Sequence, residues 1–297
     1  MSTTTSMRPS TVERTGAWSP TPVGWPEEPT GELRLRIAQR AGRSVAVGQY
    51  HHGALRVIRP LYLEDSGRVT YVQVNPGGGY LDGDTYLTEV DLEAGAELVL
   101  TTQAATKVYR TPTSMARQHT LIRLAEGAVL EQVPDQLIAY RDSTYLQTTE
   151  VEMEPGSTYI SLEVVTPGWS PDGRTFGYDA LRTRTDVRVG GQTVLVDNLR
   201  MVPGAGDVEG LGMMEGHSHI ASLTVIDERV DDTIIEEAAA LLNVDGVRAG
   251  VTRVQGPGFI ARALGDDTAR LTSLMLGIDT VLRERWLGAP PLNLRKY

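Results

Sequence analysis

Cysteine is absent from this 297-residue chain. That excludes disulfide scaffolds, thiolate metal sites and cysteine nucleophiles. Aromatic residues are scarce, 6% of the chain with only 2 Phe. A carbohydrate enzyme, which needs aromatic platforms beside two carboxylates, is therefore disfavoured. No apolar run approaches the roughly 20 residues that span a bilayer. The opening residues, MSTTTSMRPSTVERTGAW, carry no apolar core of a secretory signal, so the cytoplasm is the default address. A positive surplus is missing too: 28 basic residues stand against 38 acidic ones, for a net charge of -10. Binding to nucleic acid rests on neutralising phosphates, so neither nucleic acid nor membrane is an expected partner. Such a charge is compatible with attracting cations.

What is present is glycine, 31 residues, together with many Val and Thr, whose β-branched side chains suit strands. Residues 1–30, rich in Ser, Thr and Pro, are expected to form a disordered tail. From there to about residue 290, short alternating runs punctuated by Gly, Asp and Pro predict one β-rich domain. Residues 291–297 read as an extended C-terminal tail. One phrase recurs: Leu92-Glu93-Ala94-Gly95-Ala96-Glu97-Leu98 is echoed at Leu124–Leu130, and its turn again at Met153–Tyr159. The glycines Gly95, Gly127 and Gly156 lie 32 and then 29 positions apart. Such spacing suggests the stacked strands of a β-helix-like scaffold; unrelated hairpins sharing good turn chemistry are the alternative. Two helices are predicted near 231–243 and 266–286, opened by the acidic pairs Asp231-Asp232 and Asp266-Asp267. The second carries Leu271, Leu274, Met275, Ile278, Val281 and Leu282 on one stripe. With intervening strands they predict a small C-terminal α/β element on a mainly β body.

Two stretches stand out. Asn75-Pro76-Gly77-Gly78-Gly79-Tyr80-Leu81-Asp82-Gly83-Asp84 removes the Cβ from three successive turn positions, allowing positive φ and close backbone approach. It lacks the Lys-Ser/Thr step and following helix of a phosphate loop. Asp82 and Asp84, two apart on an extended segment, are expected on one side, as a weak oxygen site for a cation or as solvated turn carboxylates. The second stretch, Thr101-Thr102-Gln103-Ala104-Ala105-Thr106-Lys107-Val108-Tyr109-Arg110, is built of small residues that suit contact with another backbone. Lys107 and Arg110 are expected to pair with acids near Asp84 or with a partner. Of the five histidines, His217 and His219 share period-2 spacing after Met213 and Met214, a candidate metal pair or ordinary strand packing. His119 reads as a structural residue.

These two stretches, in this order and about 20 residues apart, resemble the signature pair of the UreD (UreH) family of urease accessory proteins. Arg59-Pro60-Leu61-Tyr62 and Leu130-Glu131-Gln132-Val133-Pro134 are similar to further family segments, and the likeness runs from about residue 33 to 290. The match departs at Gly173-Arg174-Thr175-Phe176-Gly177, where Asp179 takes the place of a usual carboxylate, and in an inserted Trp169–Asp172. The resemblance implies a protein without catalytic activity or a tightly bound cofactor. It implies a scaffold that binds UreF, through it the GTPase UreG, and the urease apoprotein, while transient Ni²⁺ passes to a bis-nickel centre. Nickel binds imidazole and thiolate tightly, so a carrier that must release it favours oxygen donors. Asp82, Asp84, Glu163 and Asp179 are the expected contributors to that route. An adaptor that fixes UreF on urease without carrying nickel is the alternative.

Overall fold

The computed structural model describes residues 24–294. Seventeen strands build two facing sheets. The first sheet holds, in spatial order, β14 (Gln192–Met201), β13 (Ala180–Val189), β11 (Thr144–Met153), β8 (Ala116–Leu124), β5 (Thr85–Leu92), β1 (Gly31–Arg40) and β2 (Arg43–Gly53). The second runs β16 (Arg248–Arg253), β17 (Gly258–Gly265), β15 (His219–Ile226), β12 (Thr158–Val165), β9 (Val129–Val133), β6 (Glu97–Thr102), β4 (Val69–Val74) and β3 (Arg56–Val57). Two short strands, β7 (Thr106–Val108) and β10 (Leu137–Ala139), pair with each other at its border.

From β5 to β13 the chain alternates between the sheets, and successive strands within a sheet run parallel. Thr85 pairs with Arg117 and Leu92 with Leu124, a step of 32 residues. Leu124 then pairs with Met153, a step of 29. The glycine spacing read from the sequence is thus the length of successive solenoid coils. Gly95, Gly127 and Gly156 all hold φ between 67° and 78°, a region that excludes most side chains. Their turns stack: the Gly95 N–H donates to the Glu126 carbonyl, and the Gly127 N–H to that of Gly156.

Strand alternation then sorts the side chains. In β5, Tyr86, Val90 and Leu92 enter the core between the sheets. Glu89 and Asp91 point the other way and pair with Arg34, Arg36 and Arg123. The outer face of the second sheet is apolar and is covered by the two expected helices, α1 (Asp232–Leu242) and α2 (Thr268–Leu282). The α2 stripe continues into one π-helical turn, Arg283–Leu287. Asp231 and Asp267 cap the helices, accepting from the N–H groups of Ile234 and Arg270. Ile234, Ala238, Leu271, Met275 and Ile278 pack on Ile160, Leu162, Leu223 and Phe259. Each of these buried Leu, Ile, Met and Phe side chains contributes about 1.5–3 kcal/mol.

The predicted N-terminal tail lies outside the described residues up to position 23. Residues 24–30 lie on the first sheet, where Arg117 sits 5.1 Å over the Trp25 ring and the Thr30 hydroxyl donates to Asp84. At the other end Leu292 and Leu294 pack against the helix-side core, and positions 295–297 are outside the described residues.

Candidate functional site

The space between the sheets is apolar beside the glycine turns and polar toward the opposite edge. Two inward rows of the first sheet make the polar part. Tyr86, Gln118, Gln147 and Thr183 stand in register across β5, β8, β11 and β13, and Thr88, Thr120, Thr149 and Thr185 form the next row. Gln73, Thr102, Gln132 and Glu163 face them from the second sheet and, with Thr88, Gln118, Thr120, Gln147 and Thr149 of the two rows and with Asp135, line a cavity of about 60 Å³. At roughly 10–15 Å³ per water centre it has room for several waters.

A neighbouring cavity, also about 60 Å³, shares Gln73, Thr102 and Thr106 with the first, and both signature stretches form its wall. Gly78 carries φ of 79°, turning the chain so that Tyr80 and Tyr109 exchange backbone bonds with each other's strand. The Tyr80 N–H donates to Lys107 and the Tyr109 N–H to Tyr80, at 2.7 and 2.9 Å. Gly79 lies under the Tyr109 ring, and a Cβ there would come within 2.8 Å of the Lys107 carbonyl. The first stretch needs glycine because the second lies on it.

Hydrogen bonds run through this layer. Tyr86 donates to Asp84 at 2.9 Å, and its ring stacks on Tyr80 with centroids 3.7 Å apart. Tyr80 donates to Gln118 Oε1 at 2.7 Å, and Tyr145 Oη lies 3.2 Å from both Gln118 Oε1 and Gln147 Oε1. The Gln147 amide donates to Glu163 at 2.7 Å, and Thr183 donates to its other oxygen at 3.2 Å. Desolvation raises the Glu163 pKa, opposed by these two donors. Burial likewise holds Tyr80, Tyr86 and Tyr145 above the usual phenol range, so they remain O–H donors.

Of the four expected acids, the structure brings Glu163 to the cavity and Asp84 to the first tyrosine. Asp82 and Asp84 do not share a side. Gly83, with φ of 75°, closes a turn rather than an extended segment, and the Asp84 N–H donates to the Leu81 carbonyl. Asp82 instead accepts from the N–H groups of Thr113 and Ser114 and from the Thr113 hydroxyl, which lowers its pKa. Asp179 is exposed at the start of β13, its N–H bonded to Ser143. Arg110 meets Asp142 at 3.5 Å on the surface, and Lys107 lines the second cavity. His119 is held by Thr148 at 2.9 Å and covered by Trp25, a structural residue.

His217 precedes β15, so the period-2 premise for the histidine pair does not apply. His217 Nδ1 lies 3.2 Å from Asp266, and His219 Nδ1 lies 2.7 Å from Ser218 Oγ. Among the described residues no group of three or more His, Asp or Glu is placed to hold a metal ion. Sequence reasoning missed Gln118, Gln147 and Tyr145. Their signal was available: Gln118 and Gln147 are 29 apart, as are Thr120 and Thr149, the same step as Gly127 and Gly156.

Among the described residues no helix is long and apolar enough to cross a membrane. Comparison with known proteins gives one family: the pattern of UreD urease accessory proteins matches residues 29–296. The urease accessory protein UreD of Actinomyces naeslundii is 65% identical over 268 residues, covering 90% of this chain and 99% of its own. That of Arthrobacter sp. strain FB24 is 50% identical over 279 residues, covering 91% and 95%. That of Bacillus sp. strain TB-90 is 37% identical over 270 residues, covering 90% and 99%. With its two signature stretches interlocked and residues 29–296 matched, the chain belongs to the UreD family of urease accessory proteins.

Proposed function

We propose that this urease accessory chain carries nickel toward urease through the polar layer between its sheets and transforms no substrate itself. In this reading it joins UreF and, through UreF, the GTPase UreG to the urease apoprotein in the cytoplasm. The supporting observation is the file of oxygen donors from Asp84 through Gln118, Tyr145 and Gln147 to Glu163. Ordinary cores are close-packed and apolar, and burying polar groups costs stability unless they are paired. A carbonyl, hydroxyl and carboxylate lining suits a divalent ion that keeps part of its water and leaves quickly, whereas imidazole and thiolate would hold nickel. Glu163 lines the first cavity together with Asp135, and a cation beside Glu163 would offset the desolvation that disfavours its charge.

The test is urease activation at limiting nickel, read beside co-purification of the complex. Glu163→Gln is expected to lower activation on the order of tenfold, the usual scale for altering a metal's surroundings, and to leave the amount of complex unchanged. If Asp84→Ala and Glu163→Ala both activate urease like the parent, the chain is an adaptor and carries no nickel.

A further inference from the structure

The polar layer does not stop at Glu163. On the second sheet Glu163 pairs with Ser222 across β12 and β15, and Ser222 pairs with Arg262 across β15 and β17. The three side chains therefore occupy neighbouring positions on the inner face. Arg262 Nε donates to Ser222 Oγ at 3.0 Å, and its Nη2 reaches the opposite sheet to meet Asp197 on β14 at 2.7 Å. Beyond this pair the last coil is uncovered. Edge strands β14 and β16 face each other across an open groove of about 600 Å³, continued by a second of about 390 Å³, and Arg262 lines both. The guanidinium is partly exposed on the groove side. One ion pair thus stands between the polar interior and solvent at the end of the solenoid.

We propose that the positive charge of Arg262, seated beside Asp197, is a latch that closes this end of the polar interior to divalent cations. The proposal rests on the nickel-carrying reading and adds where the ion is kept from leaving. A guanidinium keeps its charge at any working pH, so it repels an ion arriving from Glu163. It also occupies Asp197, the carboxylate that would otherwise draw that ion outward. An aliphatic or hydroxyl residue at the same place would close the wall sterically at best, because water and a hydrated ion pass wherever a polar row continues.

The purified complex of this chain with urease apoprotein and its accessory partners is activated with limiting NiCl₂, and nitrilotriacetate is added in graded amounts. In Arg262→Met, activation is expected to become on the order of tenfold more sensitive to the chelator, the size of one screened charge–charge repulsion at short range. Arg262→Lys restores protection. Asp197→Asn breaks the ion pair but keeps the positive charge, so it stays protected. A purely structural bolt would instead make Asp197→Asn and Arg262→Met leak alike. The latch is overturned by that result, or by parental chelator sensitivity in Arg262→Met. If thermal unfolding shows Arg262→Met to be misfolded, Arg262→Gln is read in the same way. Glu163→Gln in parallel separates the two ideas: loss of activation there with a parental Arg262→Met sinks the latch alone. Parental activation in both Glu163→Gln and Asp84→Ala sinks the nickel reading itself.

Discussion

The second sheet has two faces, and they bury their side chains on different terms. Its outer face meets the helices through Ile, Leu, Val, Ala and Phe, an ordinary apolar core. Its inner face meets the first sheet through Gln73, Gln132 and Glu163 as well as through leucines. The helix-side core does contain ions, but they form one closed cluster. Arg283 holds Glu131 at 2.5 and 2.7 Å and also bonds Glu64, while Arg68 reaches Glu131 at 3.3 Å and Glu97 at 2.8 Å. These charges lie directly against one another. The inner polar rows border open volume instead. Polar groups on the helix side lock a junction, whereas those between the sheets line a space.

The largest expected effect breaks the lock. Glu131 and Arg283 are fully buried, so Glu131→Gln removes the carboxylate that Arg283 and Arg68 share, leaving them Glu64 and Glu97, and should cost up to about 3–5 kcal/mol in thermal or denaturant unfolding. A loss under about 1 kcal/mol would place the cluster among weak surface pairs.

A smaller effect depends on pH. Asp279 on α2 is buried beside that cluster, and neither carboxylate oxygen has a hydrogen-bond partner. Desolvation and the charge of Glu131 push its pKa up to about 8. The folded state then keeps a proton that the unfolded chain releases near pH 4, so stability falls as pH rises from about 4 to 8 and levels off above that range. Asp279→Asn should remove this slope and raise stability at pH 8, with little gain at pH 4. Melting curves across that range check the sign.

The smallest effect probes the interior. Thr88 Oγ1 is buried without a partner in the polar row. Thr88→Val keeps the shape and should change stability by less than about 1 kcal/mol, while slowing nickel-dependent activation. Loss of stability without loss of activation would make the polar row an ordinary structural feature.

Much of the architecture was legible in local signals. The Gly95, Gly127 and Gly156 spacing reported the coil lengths because positive-φ turns admit little else. Asp231 and Asp267 marked the helix starts because a carboxylate there satisfies free N–H groups. The site was only half legible. Glu163 was singled out, whereas Gln118, Gln147 and Tyr145 looked like ordinary strand polar residues until register set them face to face. Asp82 was misplaced because strand alternation was assumed across Gly83, where the chain turns.

By itself the sequence determined the β-rich class, the coil repeat, the helix caps and the family motifs, since each depends on residues a few positions apart or on a repeated step. Only the tertiary structure decided what meets in the middle. Arg283 finds Glu131 and Glu64 across 152 and 219 positions, and Arg262 finds Asp197 across 65. Such partners are set by how two sheets close on each other, and no local propensity carries that information.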